Sequence, residues 1–288
     1  MTLAARAPAA EPPLVEGEFP FTREDFRMIA DLLYEASGIT LADAKATLVY
    51  SRIAKRVRAR GLGSFREYCD LLRADPTSPE HAAMLSALTT NVTRFFREPH
   101  HFDHMAEELL PRLADAAKAG DRVRLWSAGC SAGHEPYSMA MTVLNVLPEA
   151  GRLDVKILAT DIDTDVIDRA RRAEYSDGDV EPIPAGLRSK YLVRAAPGRW
   201  RIAGAVSELV TFGALNLLGD WPMKGRFDAI FCRNVAIYFD TPTQTRLFTR
   251  FAERLTPDGR LYIGHSERAM VPGLTNAGLT VYRRTGRP

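Results

Sequence analysis

From Phe21 to about Pro99 the apolar positions recur with the period of a helix. Thr22 stands as an N-cap with Asp25 three positions on, and Phe26, Ile29, Leu32 and Leu33 follow until Ser37-Gly38 ends the run. Leu41 to Arg60 predicts a second, long helix closed by Gly61, with Ala46, Val49, Tyr50, Ile53 and Val57 as its apolar stripe. Ser64 to Arg73 and Pro79 to Leu88 predict two shorter helices, and no strand pattern interrupts them.

At Arg122 the period changes. Val123–Ala128 predicts a short strand that runs into Gly129-Cys-Ser-Ala-Gly133, and a helix from Glu135 to about Leu147 follows. Val155–Asp161 predicts a second strand, Asp163–Arg172 a helix, and Phe227–Cys232 a third strand. A helix over Pro242–Leu255 has Thr241 as N-cap, and Pro257-Asp-Gly259 turns the chain into Arg260–Gly264. Strands alternating with helices predict an α/β fold, a mostly parallel sheet covered on both faces. Tyr191–Arg194 and Trp200–Ala203 break the alternation and predict an inserted antiparallel hairpin, in an insert spanning about 190–212. The expected organisation is a disordered tail over 1–20, a helical domain over 21–90, a linker and connecting helix over 91–121, and the α/β domain over 122–288.

Composition narrows this picture only slightly. A length of 288 residues, 46% hydrophobic, suits a globular chain of one or two domains, and no apolar run approaches the roughly 18 residues of a membrane span. Residues Met1 to Pro20, rich in Ala, Pro and Glu, lack the pattern of a signal peptide. A net charge of +2 gives no ground for nucleic-acid binding. Three cysteines without a CxxC pair point to a reducing cytoplasm and to neither a disulfide framework nor a zinc site.

The candidate chemistry starts at the glycine turn. Gly129 and Gly133 follow a strand and precede a helix, where an absent Cβ lets a backbone approach a ligand. The spacing is GxxxG and no phosphate-loop Lys follows, which points to an adenosine cofactor without a pyrophosphate, S-adenosylmethionine being the common one. Asp161 ends the next strand, where an acid accepts from ribose hydroxyls; capping the helix at Asp163 is its alternative role. Glu135 either contacts the cofactor or favours the helix dipole. Upstream, Asn91 and Thr93 offer hydrogen bonds, and Arg97 offers a planar fork for a carboxylate; a capped helix with Phe95 and Phe96 in the core is the plainer reading.

Taken in order, Thr90–Glu98, Trp126–Ser138, Ala159–Asp163, Phe227–Asp240 and Gly264–Glu267 resemble the CheR-type chemoreceptor glutamate methyltransferases, over most of the chain from Phe21 to Tyr282. The resemblance implies a Rossmann-like class I methyltransferase sheet behind an all-helical N-terminal domain. It implies that Asn91, Thr93 and Arg97 approach the cofactor and the reacting carboxylate, with Glu135 and Asp161 on the cofactor. Asn216 and Leu217 would lie beside adenine and ribose, Arg233 and Asn234 at the end of the next strand, and Tyr238 near the sulfonium. His134 departs from the pattern, where an acid is common, while Glu135 is retained.

The reaction so implied esterifies a glutamate carboxylate of a receptor's cytoplasmic helices and leaves S-adenosylhomocysteine. A glutamate with a pKa of about 4.3 is already ionised at neutral pH and needs no general base. Arg97 would orient it and Tyr238 would face the methyl sulfonium. Ala44 to Arg66 holds seven basic residues and no acid, and Lys45, Arg52 and Arg56, with Lys55 beside them, would present a basic edge to an acidic partner. His100, His101 and His104 bring no supporting carboxylate or Cys pattern, so no metal is expected. The short loop Ala195–Arg199 argues against docking of a receptor tail peptide at the hairpin. Nothing calls for more than a cytoplasmic monomer recruited by its receptor. Two other readings share the fold: a small-molecule O-methyltransferase and a non-catalytic cofactor-sensing module.

Overall fold

The computed structural model describes residues 13–285 and divides into two units, residues 1–89 and 90–288. The first is built on four helices whose ends follow from their caps. Thr22 and Asp25 close a full capping box at the start of α1 (Arg23–Ser37), and Gly38, at φ 72°, ends it. The long second helix starts later than Leu41: a 3₁₀ turn over Asp43–Lys45 leads into α2 (Ala46–Ala59). Ser64 caps α3 (Phe65–Ala74), and Ser78, followed by Pro79, caps α4 (Pro79–Leu88). Ile29, Leu33, Val49, Ile53, Val57, Phe65 and Met84 meet in the core between them.

The expected disordered tail is shorter than residues 1–20. Phe19 is buried, Leu14 and Val15 pack partly buried on the helical core, and Leu14 N–H donates to the Phe21 carbonyl at 2.6 Å. Three apolar side chains with a core to cover are reason enough for residues 14–20 to fold back. Residues 1–12 of that expectation lie outside the described residues.

The second unit opens with α5 (His100–His104), continued through a wide π turn over Met105–Leu109 into α6 (Leu110–Lys118). Pro111 has no N–H to continue the α ladder, which accounts for the wider turn before it. Then come β1 (Val123–Ala128), α7 (His134–Val146), β2 (Val155–Asp161), α8 (Thr164–Arg172), β3 (Glu174–Ser176), α9 (Asp177–Val180) and α10 (Ala185–Tyr191). They are followed by β4 (Leu192–Ala196), β5 (Arg199–Ile202), α11 (Gly204–Ser207), β6 (Val210–Ala214), β7 (Phe227–Cys232), α12 (Thr241–Arg254), β8 (Leu255–Ile263), β9 (Leu274–Gly278) and β10 (Val281–Arg284).

Seven strands form one sheet in the order β6-β2-β1-β7-β8-β10-β9, parallel except for β10. All six residues of β7 are buried, so both faces of the sheet are covered, as an α/β, Rossmann-like fold requires. The chain winds outward from β1 through β2 to β6, then restarts on the other side of β1 with β7. That reversal opens a crevice at the carboxyl ends of β1 and β7, the place where such sheets hold ligands.

Sequence and structure differ at three boundaries. The insert ends at Ile202: β4 and β5 join through Pro197-Gly198, and β5 pairs also with β3 in a separate three-stranded sheet, while β6, which begins within the expected 190–212 span, belongs to the large sheet. Asp240, not Thr241, caps α12, its carboxylate accepting from Thr243 N–H at 2.8 Å. Phe227 pairs with Leu255 and Ala229 with Arg260, so the Pro257-Asp-Gly turn is a bulge within β8. No helix among the described residues is long and apolar enough to cross a membrane.

Candidate active site at the carboxyl ends of the central strands

The turn after β1 is held by backbone. Gly129 and Cys130 N–H both donate to the Thr160 carbonyl, at 2.8 and 2.9 Å. Gly129 and Gly133 take φ of 86° and 88°, which glycine adopts without strain. Their missing Cβ atoms do not open room for a ligand, as the sequence led us to expect. A Cβ on Gly129 would lie 2.4 Å from Val235 Cγ2, and one on Gly133 would lie 2.9 Å from both Ala170 Cβ and Tyr175 Oη. Protein fills the space, so these glycines let neighbouring elements close on the turn.

Asp161, at the end of β2, buckles two loops together. One carboxylate oxygen accepts from Ser131 N–H (2.8 Å) and the other from Asp163 N–H (3.0 Å). Burial pushes its pKa up against those bonds. Asp163 caps α8 through Asp165 N–H and accepts from Asn91 Nδ2 at 2.8 Å, while Ser131 Oγ donates to the Asn91 carbonyl. Leu215 N–H donates to the Asp161 carbonyl at 2.8 Å, which places Asn216 and the buried Leu217 directly beyond it. Asn91, Asp161, Asn216 and Leu217 thus come to one end of the sheet.

Arg233 forms a second cluster at the end of β7. Its side chain is 3% exposed, and its guanidinium lies 3.2 Å from Glu135 and 3.4 Å from Glu98, donates to the Arg97 carbonyl, and stacks over Phe102. Arg233 therefore turns inward as an anchor and is not a free cation at the crevice. Glu135 also accepts from Ser127 Oγ at 2.7 Å, and burial pushes its carboxyl up against the pull of Arg233. Burial would raise Glu98 as well, but a hydrogen bond from His265 and the Arg233 charge outweigh it and hold it below the usual range.

The segment between the clusters carries the remaining candidates. Phe95 is buried against His134 and Tyr175, Phe96 N–H donates to Ser138 Oγ, and half-buried Thr93 and Arg97 sit on either side. Arg97 Nη1 donates to the Val92 carbonyl at 3.0 Å. Tyr238 ends the 3₁₀ turn Ala236–Tyr238 that follows Arg233 and Asn234.

Sequence reasoning assigned no role to two acids that the structure makes central. Glu98 is the second carboxylate on Arg233, and Glu267 is buried and bonded to the turn after β7. Both stand in motifs already singled out, Thr90–Glu98 and Gly264–Glu267.

The donor set suits a cationic, phosphate-free group. Glu98 and Glu135 flank the buried Arg233 guanidinium, while Asp161 and Asp163 accept from backbone N–H groups and the Asn91 amide, an excess of negative charge that complements a sulfonium and an ammonium and opposes a pyrophosphate. Asn234 Oδ1 is buried with no protein donor, an acceptor left for a bound group. Glu98, His100 and His101 also hold ligand-type atoms within 4.8 Å of one another. The Glu98 oxygen 3.6 Å from His101 lies 3.4 Å from Arg233, however, and a cation already in place disfavours a second.

Residues 91–277 match the family description "CheR methyltransferase, SAM binding domain", and residues 24–89 match "CheR methyltransferase, all-alpha domain". The chain belongs to the CheR methyltransferase family. Among its CheR relatives, a "Probable chemotaxis protein methyltransferase" of Rhizobium etli is 46% identical over 88% of this chain and 97% of its own. The "Chemotaxis protein methyltransferase 2" of Pseudomonas aeruginosa is 44% identical over 96% of this chain and 99% of its own. The "Chemotaxis protein methyltransferase" of Escherichia coli is 42% identical over 89% of each.

Within the CheR all-alpha domain, the basic edge of α2 differs from expectation. Arg52 Nη1 donates to the carbonyls of Ala87, Leu88 and Thr89 and so closes the end of α4. Arg56 grips Glu80, which is 4% exposed, through two hydrogen bonds of 2.8 Å. Arg58 pairs with Glu18 and Arg66 with Glu24. The acids that neutralise this run lie far away in sequence, which is why the run looked unopposed. Lys45 and Lys55 are the members of the expected set that stand exposed.

Proposed function

We propose that the protein transfers the methyl group of S-adenosylmethionine to glutamate side-chain carboxylates on the cytoplasmic helices of chemoreceptors. The products are glutamate methyl esters and S-adenosylhomocysteine. The observation that carries the reading is the acidic crevice at the switch point of the sheet, in a chain that matches both CheR domains. When bound, S-adenosylmethionine supplies an activated methyl group on a sulfonium.

The chain's own residues supply place and orientation. Asp161 has lone pairs beyond the two backbone bonds it accepts, and with Asn91, Asn216 and Leu217 it forms the ribose and adenine end. Glu135 and Asn234 face the charged end, with Gly129, Gly133 and Arg233 shaping the turns behind them. Arg97 and Thr93 meet the incoming carboxylate, and Tyr238 lies against the reacting methyl. Holding a carboxylate in line with that methyl is worth about 7–11 kcal/mol at most, and no proton has to move. Lys45 and Lys55 offer charge to an acidic receptor helix. The groove beside the hairpin is lined by Arg188, Arg194, Asp177 and Glu181 around Trp200, two cations against two acids, and the short Pro197-Gly198 turn adds nothing to hold a receptor tail.

The test is transfer of labelled methyl from S-adenosylmethionine to receptor-bearing membranes, recovered as base-labile ester. Arg97→Ala should lower turnover on the order of 100-fold while changing S-adenosylhomocysteine affinity by less than about threefold. An equal fall in both would refute the orienting role. No transfer by the wild-type protein despite tight cofactor binding would favour a non-catalytic sensing module.

A further inference from the structure

The motif Gly264-His-Ser-Glu267 has no part in the chemistry above, yet it ends in a carboxylate that is 3% exposed. A carboxylate removed from water is costly unless its lone pairs are met. Here they are met by backbone alone. Glu267 Oε2 accepts from Gly264 N–H (2.5 Å) and Asn234 N–H (3.0 Å), and Oε1 accepts from Val235 N–H (3.0 Å) and Ile237 N–H (3.3 Å). Three of these donors belong to the single turn that follows β7.

That turn is conformationally demanding. Asn234 lies at φ 59°, in the left-handed region that non-glycine residues seldom occupy. A Cβ on Gly264 would come 2.6 Å from Asn234 Nδ2 and 2.9 Å from Asn234 N, so the end of β8 must be glycine for the turn to settle against it. Val235, one residue on, fills the space over Gly129. Tyr238 N–H then closes the turn on the Val235 carbonyl at 3.2 Å.

We infer that Glu267 is a positioning residue for methyl transfer, its carboxylate gathering the backbone of the turn that carries Asn234 and Tyr238 and fixing where both side chains point. The inference rests on the methyl-transfer reading above. Its chemical basis is the count of acceptors. Two adjacent oxygens take four N–H groups, whereas a carboxamide offers one oxygen and aims two donors at N–H groups that already need acceptors. Asp161, Glu135 and Asn216 lie outside the turn, so loss of Glu267 should disturb alignment more than cofactor binding.

Glu267→Gln and Glu267→Asp, made in the full chain, separate these effects. Turnover on receptor membranes, S-adenosylhomocysteine affinity by calorimetry and amide hydrogen exchange are measured well below the melting temperature of each variant. The Gln variant should lose turnover on the order of 100-fold, with affinity changed by less than about tenfold. Amides of residues 234–237 and 264 should exchange faster. The Asp variant, which keeps both oxygens on a shorter arm, should recover part of the rate. The inference is overturned if the Gln variant keeps its turnover, or if rate and affinity fall in equal measure. Should the wild-type protein transfer no methyl, the functional reading fails by itself, and exchange decides the rest: unchanged protection in the Gln variant means that Glu267 does not hold the turn.

Discussion

His101 is shut off from water, its Nε2 2.8 Å from Thr280 Oγ1 and its Nδ1 3.6 Å from a Glu98 oxygen. Burial, with Arg233 nearby, lowers its pKa from 6.5 to about 3, and burial lowers that of His134 to about 4. Below pH 6.5 the unfolded chain takes up a proton that folded His101 refuses, so this stability is lost as pH falls toward 3, by at most about 5 kcal/mol. Glu135, Asp161 and Glu267 have raised pKa values and act in the opposite sense, so the wild-type curve shows only a net effect. His101→Gln should therefore flatten the acid limb of the denaturant midpoint between pH 7 and 4.5, whatever it costs at neutral pH; parallel limbs for the two proteins would contradict this. At this scale the sequence was read best where a residue's partner lies close by. The place of Asp161 was legible because the second strand ends on it. The roles of Glu98 and Glu267 were not, because Arg233 and the turn after β7 reach them only through the tertiary fold.

Helix α2 shows why elements were easier to find than their faces were to interpret. Its apolar stripe buried as the period predicts, with Val49, Ile53 and Val57 fully enclosed. Arg52 and Arg56, expected at the surface, bind α4 instead. Arg56→Ala would leave the Glu80 carboxylate, 4% exposed, with only the more distant Arg60 and the Tyr68 hydroxyl. We expect a loss of about 3–5 kcal/mol in denaturant unfolding of the helical unit. A loss below about 1 kcal/mol would mean that Arg60 takes over the pairing. Strands were legible where mostly buried, as in β1 and β7. The edge strands β6 and β9 hold Thr, Gly and Asn, and only pairing with a neighbour makes them strands. The π turn before Pro111 was equally silent, since it reflects a ladder interrupted and not a pattern of side chains.

At the scale of the molecule, the division between the two units after residue 89 coincides with the limits of the two CheR domains, whereas the period along the chain changes only at Arg122. The charge that remains for a partner is narrower than the basic run promised. Lys45→Glu together with Lys55→Glu should slow receptor methylation several-fold, more at low salt than at high, while S-adenosylhomocysteine binding stays unchanged. Equal rates at both ionic strengths would remove the helical unit from electrostatic recognition.

The three cysteines, all buried, have a use in this setting. Cys69 lies in the core of the helical unit with its thiol pushed up to about 12 by burial, and Cys130 and Cys232 lie in the sheet unit with theirs also raised by burial. None offers a thiolate to a reagent while its surroundings are folded. Each half of the chain thus carries its own native label. The order in which the sulfurs become modifiable under denaturant would show whether the helical unit and the sheet unit open as one cooperative body or as two.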